Sequence, residues 1–517
     1  MGYHNNIIIS PLLRRRVFVY SLAKNTKKDD MDIPRIYKHF YRIFISKESW
    51  LFGALVSSCL LLLTNVPLAE GQRSTPGRTT PVEESAAVNS GDRLILTPFL
   101  NNGSAREGRE LSRVKNMAST ESYSGFLIVN DTFNSNIFFW FFPAQYQPKT
   151  APIILWLGGG PGVTTLYGLF NANGPFFVDD KNVLHRRDSP WSLTHSLLYM
   201  DSLVGAGFSF TEDEAGYART VEDVSRDLYT ALVQFFQLFP DFQSREFYIA
   251  GESYAAKYVL AVAYKIHKEN LKSPFIPINL RGLAMGAPFI DPYNQLDYGN
   301  FFYNIGLIGE QEQSFFHELE KVTLDLIRKQ RWADAFKVGE SLMVGYPLVA
   351  PSYFKNVTGF RYIRNYHQAV GPEDRHYFIN YLEQDHIRRA IHVGNQQFSN
   401  FNDTVYYAMH EDVYQSAKFL LEELLDTDNN YKVLIYTGQL DALVPHTTVT
   451  TMIKSLKWSG SPEFHLADRV IWRVNNDVAG YTKTVKNLVY LIMRNAGNVA
   501  GYDQPLWTFD MVNRFTV

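Results

Sequence analysis

Around Ser253 the chain reads REFYIAGESYAAKYVLAVAYKIHKE, where an apolar strand pattern gives way to a helix pattern across a short turn. A strand that hands over to a helix sends the chain back across a sheet, so the strands joined this way run parallel. The same handover recurs at APIILWL, SLLYMDS, LRGLAMGAP and YKVLIYTGQLD, short apolar runs followed by turn residues. Such runs are buried on both faces. EDVSRDLYTALVQFFQLFP carries apolar positions at helical spacing and stops at Pro240. Together these predict an α/β fold with a mostly parallel central sheet flanked by helices. ESYSGFLIVN and SNIFFWFFPAQ, divided by DTFN, predict a hairpin ahead of it. The core then divides into residues 111–300 and 416–517. Between them, 301–415 breaks the rhythm with amphipathic helices and aromatic loops, and reads as an inserted, mainly helical cap.

The N-terminal part reads differently. Residues 1–49 form an extension, and 50–72 contain the apolar run WLFGALVSSCLLLL, which holds the single cysteine, Cys59. The run is shorter than the roughly 20 residues a membrane span needs. With Lys38, Arg42 and Lys47 before it and Ala69-Glu70-Gly71 after it, it fits a secretory signal cleaved near Gly71. The leader is long for a signal, so either synthesis begins at Met31 or the run stays as an anchor, which is the only membrane contact expected. Residues 73–110, rich in Ser, Thr, Pro and Gly at their start, read as a flexible linker. Four sequons follow, at Asn102, Asn130, Asn356 and Asn402, and suggest a glycoprotein routed outside the cell or to a lysosome or vacuole. A net charge of −2 offers no field for nucleic acid. The 31 Tyr and 37 Phe are read as core material.

Gly251-Glu252-Ser253-Tyr254-Ala255 sits at the strand-to-helix turn, with small residues on either side of the serine. That is the nucleophile elbow of an α/β-hydrolase, where the following helix favours an oxyanion beside the hydroxyl. The fold orders its triad as serine, acid, histidine. Asp441, at the end of VLIYTGQLD, stands where the acid belongs. The next strand-end loop, RNAGNVAGYDQP, should supply the histidine and contains none.

With GESYAAKYV, ILWLGGGPG, MDSLVGAGFSFT, VLIYTGQLD and NAGNVAGYDQP in that order, the chain resembles the serine carboxypeptidases, and within them the vitellogenic carboxypeptidase-like branch, over roughly residues 115–515. The resemblance implies an α/β-hydrolase fold and release of C-terminal amino acids from peptides at acid pH. It assigns Ser253 as nucleophile, Asp441 as acid, and the amides of Gly159 or Gly160 and Tyr254 as the oxyanion hole. Glu252 would help hold the substrate's terminal carboxylate. The departures are several. Gly158 stands where the family has Asn or Gln, and Ala172 where it usually has Glu. Val163, Thr164 and Thr165 replace a pocket cysteine and serines, and Gly501 replaces a proline. Asn498 occupies the position of the catalytic histidine.

An amide has no nitrogen that titrates near working pH, so Asn498 can hydrogen-bond to Ser253 but cannot take its proton. The sequence therefore predicts a carboxypeptidase-like protein with lost or strongly reduced activity and a pocket for a peptide end or small acyl group. Two enzymatic alternatives stand beside it: a working carboxypeptidase with a substitute base such as His446 or His392, and an acyltransferase. A storage protein would need neither site. No HxxxH or CxxC set is present, and no metal or cofactor is expected.

Overall fold

The apolar runs pair into one ten-stranded sheet in the order β1-β2-β6-β3-β7-β8-β9-β12-β11-β10. Its strands are β1 (Tyr123–Asn130), β2 (Ser135–Phe142), β3 (Ile153–Leu157), β6 (Ser196–Met200), β7 (Phe247–Glu252), β8 (Leu280–Gly286), β9 (Lys432–Gly438), β10 (Val470–Val474), β11 (Asp477–Val485) and β12 (Leu488–Met493). A small antiparallel pair, β4 (Phe176–Val178) and β5 (Leu184–Arg186), stands apart from it. From β6 through β12 the neighbours are parallel, and antiparallel hairpins close both edges. The structure is a computed structural model describing residues 91–517 apart from 116, 118, 119 and 349. Readings that fall on residues 1–90, including Cys59, lie outside the described residues.

The central strands are buried along their length because helices cover both faces, which is why their sequences are apolar without alternation. Helix Val221–Leu238 begins in a capping box between Thr220 and Asp223 and ends just before Pro240. Its Phe235 packs edge-on against Phe139 and Phe141 of β2, so the aromatic richness serves the core.

Part of the segment read as linker is folded. Thr97–Asn101 and Ala105–Leu111 are helices, and Leu94–Leu96 pairs with Phe126 of β1 through two backbone hydrogen bonds of 2.9 Å. The apolar triplet Leu94-Ile95-Leu96 explains the pairing, and Leu96 is fully buried. Between β8 and β9 the chain makes a helical excursion that includes Glu310–Arg328 and Trp332–Met343. Among the described residues it contains no strand of the main sheet.

Candidate active site

Ser253 follows β7 directly, and helix Ala255–Asn270 starts two residues later. The serine holds φ at +61°, a left-handed conformation that L side chains rarely adopt. Three backbone bonds keep it there. Its N–H donates to the Gly286 carbonyl at 2.8 Å, and its carbonyl accepts from Ala256 (3.2 Å) and Phe289 (3.3 Å). A Cβ placed on Gly251 would come within 3.0 Å of the Ala255 methyl, so the turn requires glycine at 251 and a small residue at 255.

The oxyanion loop lies against this turn. A side chain on Gly159 would meet the Glu252 carbonyl at 2.7 Å. Among the described residues the amides of Gly159, Gly160 and Tyr254 have no intramolecular acceptor, so they are free to donate to a ligand oxygen. The loop is held from behind by Asp201, which sequence reasoning missed. Its buried carboxylate accepts from the Thr164 hydroxyl (2.6 Å), the Thr165 amide (2.8 Å) and the Phe208 amide (3.0 Å). Burial pushes its carboxyl up to about 6. Thr164 and Thr165 therefore make structural contacts, since Thr165 Oγ1 also donates to Met200 and accepts from the Gly158 amide.

Asp441 is fully buried, one oxygen accepting from the Leu443 and Val444 amides at 2.8 and 3.0 Å. Its other oxygen accepts from the Asn498 side-chain amide at 2.9 Å. An ionised carboxylate offers only acceptors, and in that form it orients the amide with Nδ2 toward Asp441. Burial pushes the Asp441 carboxyl up to about 7, with the Asn498 bond acting the other way. Asn498 thus bonds to the acid, and no hydrogen bond joins it to Ser253 among the described residues. The reason is the stronger demand of a buried carboxylate for donors.

Ser253, Glu252, Tyr254, Gly158, Gly159, Gly160, Val163, Thr164 and Asn498 meet in the wall of one cavity of about 590 Å³. Asp441 stands behind Asn498. Burial pushes the Glu252 carboxyl up to about 8, and the Tyr436 hydroxyl donates to it at 3.3 Å. The other two expected substrate-binding positions are altered. At Gly158 an added Cβ would come within 2.9 Å of backbone at Val163 and Thr165, so the loop has closed over the space of a side chain. Ala172 is buried away from the cavity wall. Gly501 packs on it so closely that a Cβ there would meet the Ala172 carbonyl at 2.7 Å.

The alternative histidines take other roles. His446 starts helix His446–Lys454, packs edge-on against Phe301 and does not line the cavity. His392 is half-buried and shares a 3.0 Å hydrogen bond with Ser124. The possible ligand atoms of Asp297 and of His317 and Glu320, one turn apart on helix Glu310–Arg328, lie within 4.8 Å of one another. One Glu320 oxygen already accepts from the Tyr298 and Gly299 amides, a helix-capping role. Of the sequons, Asn102 is exposed, while Asn130, Asn356 and Asn402 are half-exposed.

Residues 113–517 match a family model described as serine carboxypeptidase. The chain is 45% identical over 431 residues to the venom serine carboxypeptidase of Apis mellifera, covering 83% of this chain and 91% of that protein. It is 44% identical to the probable serine carboxypeptidase CPVL of Homo sapiens, covering 83% and 90%. The vitellogenic carboxypeptidase of Aedes aegypti is 37% identical over 83% and 90% of the two chains. The solved structure of a prohormone-processing carboxypeptidase from Saccharomyces cerevisiae superposes with a TM-score of 0.67 at 21% identity, covering 79% of this chain and 96% of that one. That likeness speaks for the shared α/β-hydrolase fold.

Proposed function

This chain belongs to the serine carboxypeptidase family, and on that premise we propose that it is a carboxypeptidase-like protein whose hydrolytic turnover is lost or strongly reduced, with a cavity that binds a peptide end or small acyl group. The single observation that carries the reading is the Asn498–Asp441 bond. In an imidazole the nitrogen attached to Cγ would sit where Nδ2 of Asn498 sits, donating to Asp441 in the same way. The second ring nitrogen, which would face the nucleophile and take its proton, has no counterpart in an amide. Asn498 keeps the half of histidine that satisfies the acid and lacks the half that does chemistry.

Without a base the Ser253 hydroxyl is a weak nucleophile. Losing such a member of a triad costs about 10⁶ in kcat, and an intact oxyanion hole leaves only roughly 10³ to 10⁴ over water. A substitute base gains no support from His446, whose ring is packed on Phe301 outside the cavity wall. Passage through the secretory pathway, as a secreted or lysosomal glycoprotein, belongs to the same reading. It is supported by the sequons at the exposed Asn102 and the half-exposed Asn130 and Asn356.

Fluorophosphonate labelling of Ser253 at acid and neutral pH, with and without Asn498→His, tests the proposal. Labelling should be negligible in the natural sequence and efficient in the variant. Strong labelling of the unmodified protein would overturn it.

A further inference from the structure

The cavity wall contributed by residues 361–376 is basic, with Arg361, Arg364, Arg375 and His376 all on its surface. The acids that share the cavity are poorly placed to neutralise it. Burial raises the Glu252 and Glu340 carboxyls toward protonation, and both Glu340 oxygens accept from tyrosine hydroxyls, of Tyr406 and Tyr414. Glu373 is exposed at the rim.

Two arginines here differ in what they already hold. Arg375 is buried and engaged: it donates to the Tyr167 hydroxyl at 3.2 Å, lies 3.5 Å from Asp503, and stacks on Tyr502 at 3.9 Å. The half-buried Arg364 makes no ion pair and no side-chain hydrogen bond among the described residues. Its guanidinium carbon stands 5.2 Å from the centre of the Tyr167 ring. A guanidinium turned into a cavity gives up hydration and regains it only from an anion.

Its backbone is tied to both catalytic loops. The Arg364 carbonyl accepts from the Asn498 amide at 2.6 Å, and the Tyr366 amide donates to Leu440, next to Asp441, at 2.9 Å. Asn365 bonds to Asp503 at 3.1 Å, and that same carboxylate accepts from the Gly497 amide at 2.7 Å. Arg364 is therefore held beside the Asn498 position, and its charge reaches both Glu252 and Asp441.

We infer that Arg364 is the residue that selects the ligand of this cavity: the ligand bears a carboxylate, which sits on the Arg364 guanidinium while an adjacent carbonyl reaches the amides of Gly159 and Gly160. The inference rests on the binding half of the proposed function. It assigns anion recognition to a fixed positive charge, in a cavity where Gly158 supplies no side chain. A planar fork of donors suits a carboxylate in two-point contact, which a lysine cannot reproduce.

The test is titration calorimetry on the full chain with N-acetyl-phenylalanyl-leucine, its C-terminal amide, and N-acetyl-leucine. The acid should bind about tenfold or more tighter than the amide, the gain expected of a charge-assisted bond. Arg364→Gln should bring the two affinities together, and Arg364→Lys should keep only part of the preference. Equal affinity of acid and amide for the natural sequence overturns the inference without recourse to any variant. So does an unchanged preference in Arg364→Gln. N-acetyl-leucine binding as tightly as the dipeptide would identify a small free acid as the ligand, and weaker binding a peptide end. Leucine released in the same samples reports turnover separately, so rapid release sinks the impaired-catalysis reading alone. Failure of every ligand to bind at millimolar concentration sinks the anion assignment.

Discussion

The two sides of the cleft are built from different material. On the nucleophile side the elbow holds its φ of +61°, the oxyanion amides are open, and Asp201 ties the loop from behind. On the base side Asp441 receives two backbone amides, yet the loop from Gly497 to Gly501 offers it the amide of Asn498, which holds no titratable nitrogen, and packs on Ala172. The difference separates what a fold secures from what a side chain supplies. Strained backbone and oriented amides are over-determined by many contacts, so one substitution rarely erases them. Proton transfer depends on a single titratable group, and one substitution ends it.

The largest effect should come from repairing the base side. Asn498→His is expected to raise kcat for a blocked dipeptide ester by about 10³-fold or more, toward the roughly 10⁶ that a triad member is worth. Steady-state hydrolysis at acid and neutral pH measures it. A gain below about tenfold would mean that the base side has lost its geometry as well as its base.

Much of the nucleophile side was legible in the sequence, for a physical reason. Strands buried on both faces are written as unbroken apolar runs, and an elbow demands small residues at Gly251 and Ala255, so both announce themselves locally. The base side hid more. Strands β10 and β11 are half-exposed and carry little apolar signal, although Asn475-Asn476, both at positive φ, mark the turn between them. Asp201 and Arg364 gain their roles from partners distant in the chain, such as Thr164 and Asn498, which no local pattern encodes. Ala172 was assigned to substrate by resemblance, and the structure buries it behind the wall.

Damage to the nucleophile side should come next in size. Asp201→Ala leaves the buried Thr165 and Phe208 amides unpaired, at a cost of about 3 kcal/mol in urea unfolding. It should also abolish the labelling gained by Asn498→His. A loss under about 1 kcal/mol would mean that the loop stands without its carboxylate. A pH dependence of comparable size follows from Asp441 and Glu340, both buried and both pushed up to about 7. Between about pH 4 and about pH 7 the folded chain then holds more protons than the unfolded chain, so stability falls as pH rises, by at most about 1.4 kcal/mol per pH unit for each group. Unfolding free energy should be larger at about pH 5 than at about pH 7.5, and Asp441→Asn should flatten the slope. A rise in stability over that interval would show that these groups are ionised in the fold.

The smallest effect lies at the outer support of the oxyanion loop. Asn402 caps helix Asp403–Ala408 by accepting from Thr404 and Val405, at 3.0 and 3.3 Å, and its Nδ2 donates to the Gly205 carbonyl at 2.9 Å. Its own amide donates to Gly162 at 3.0 Å, within the loop that precedes Thr164. Asn402→Ala should cost about 1 kcal/mol, the usual worth of such a cap, while Asn102→Ala on the exposed surface should cost less than about 0.5. The same geometry sorts the sequons. A sugar on Asn402 Nδ2 would replace one of its two hydrogens and crowd the Gly205 carbonyl, 2.9 Å away. Peptide mapping should therefore find carbohydrate at Asn102 and Asn130 and none at Asn402. A fully glycosylated Asn402 would mean that this support is dispensable, and that the nucleophile side tolerates more change than its contacts imply.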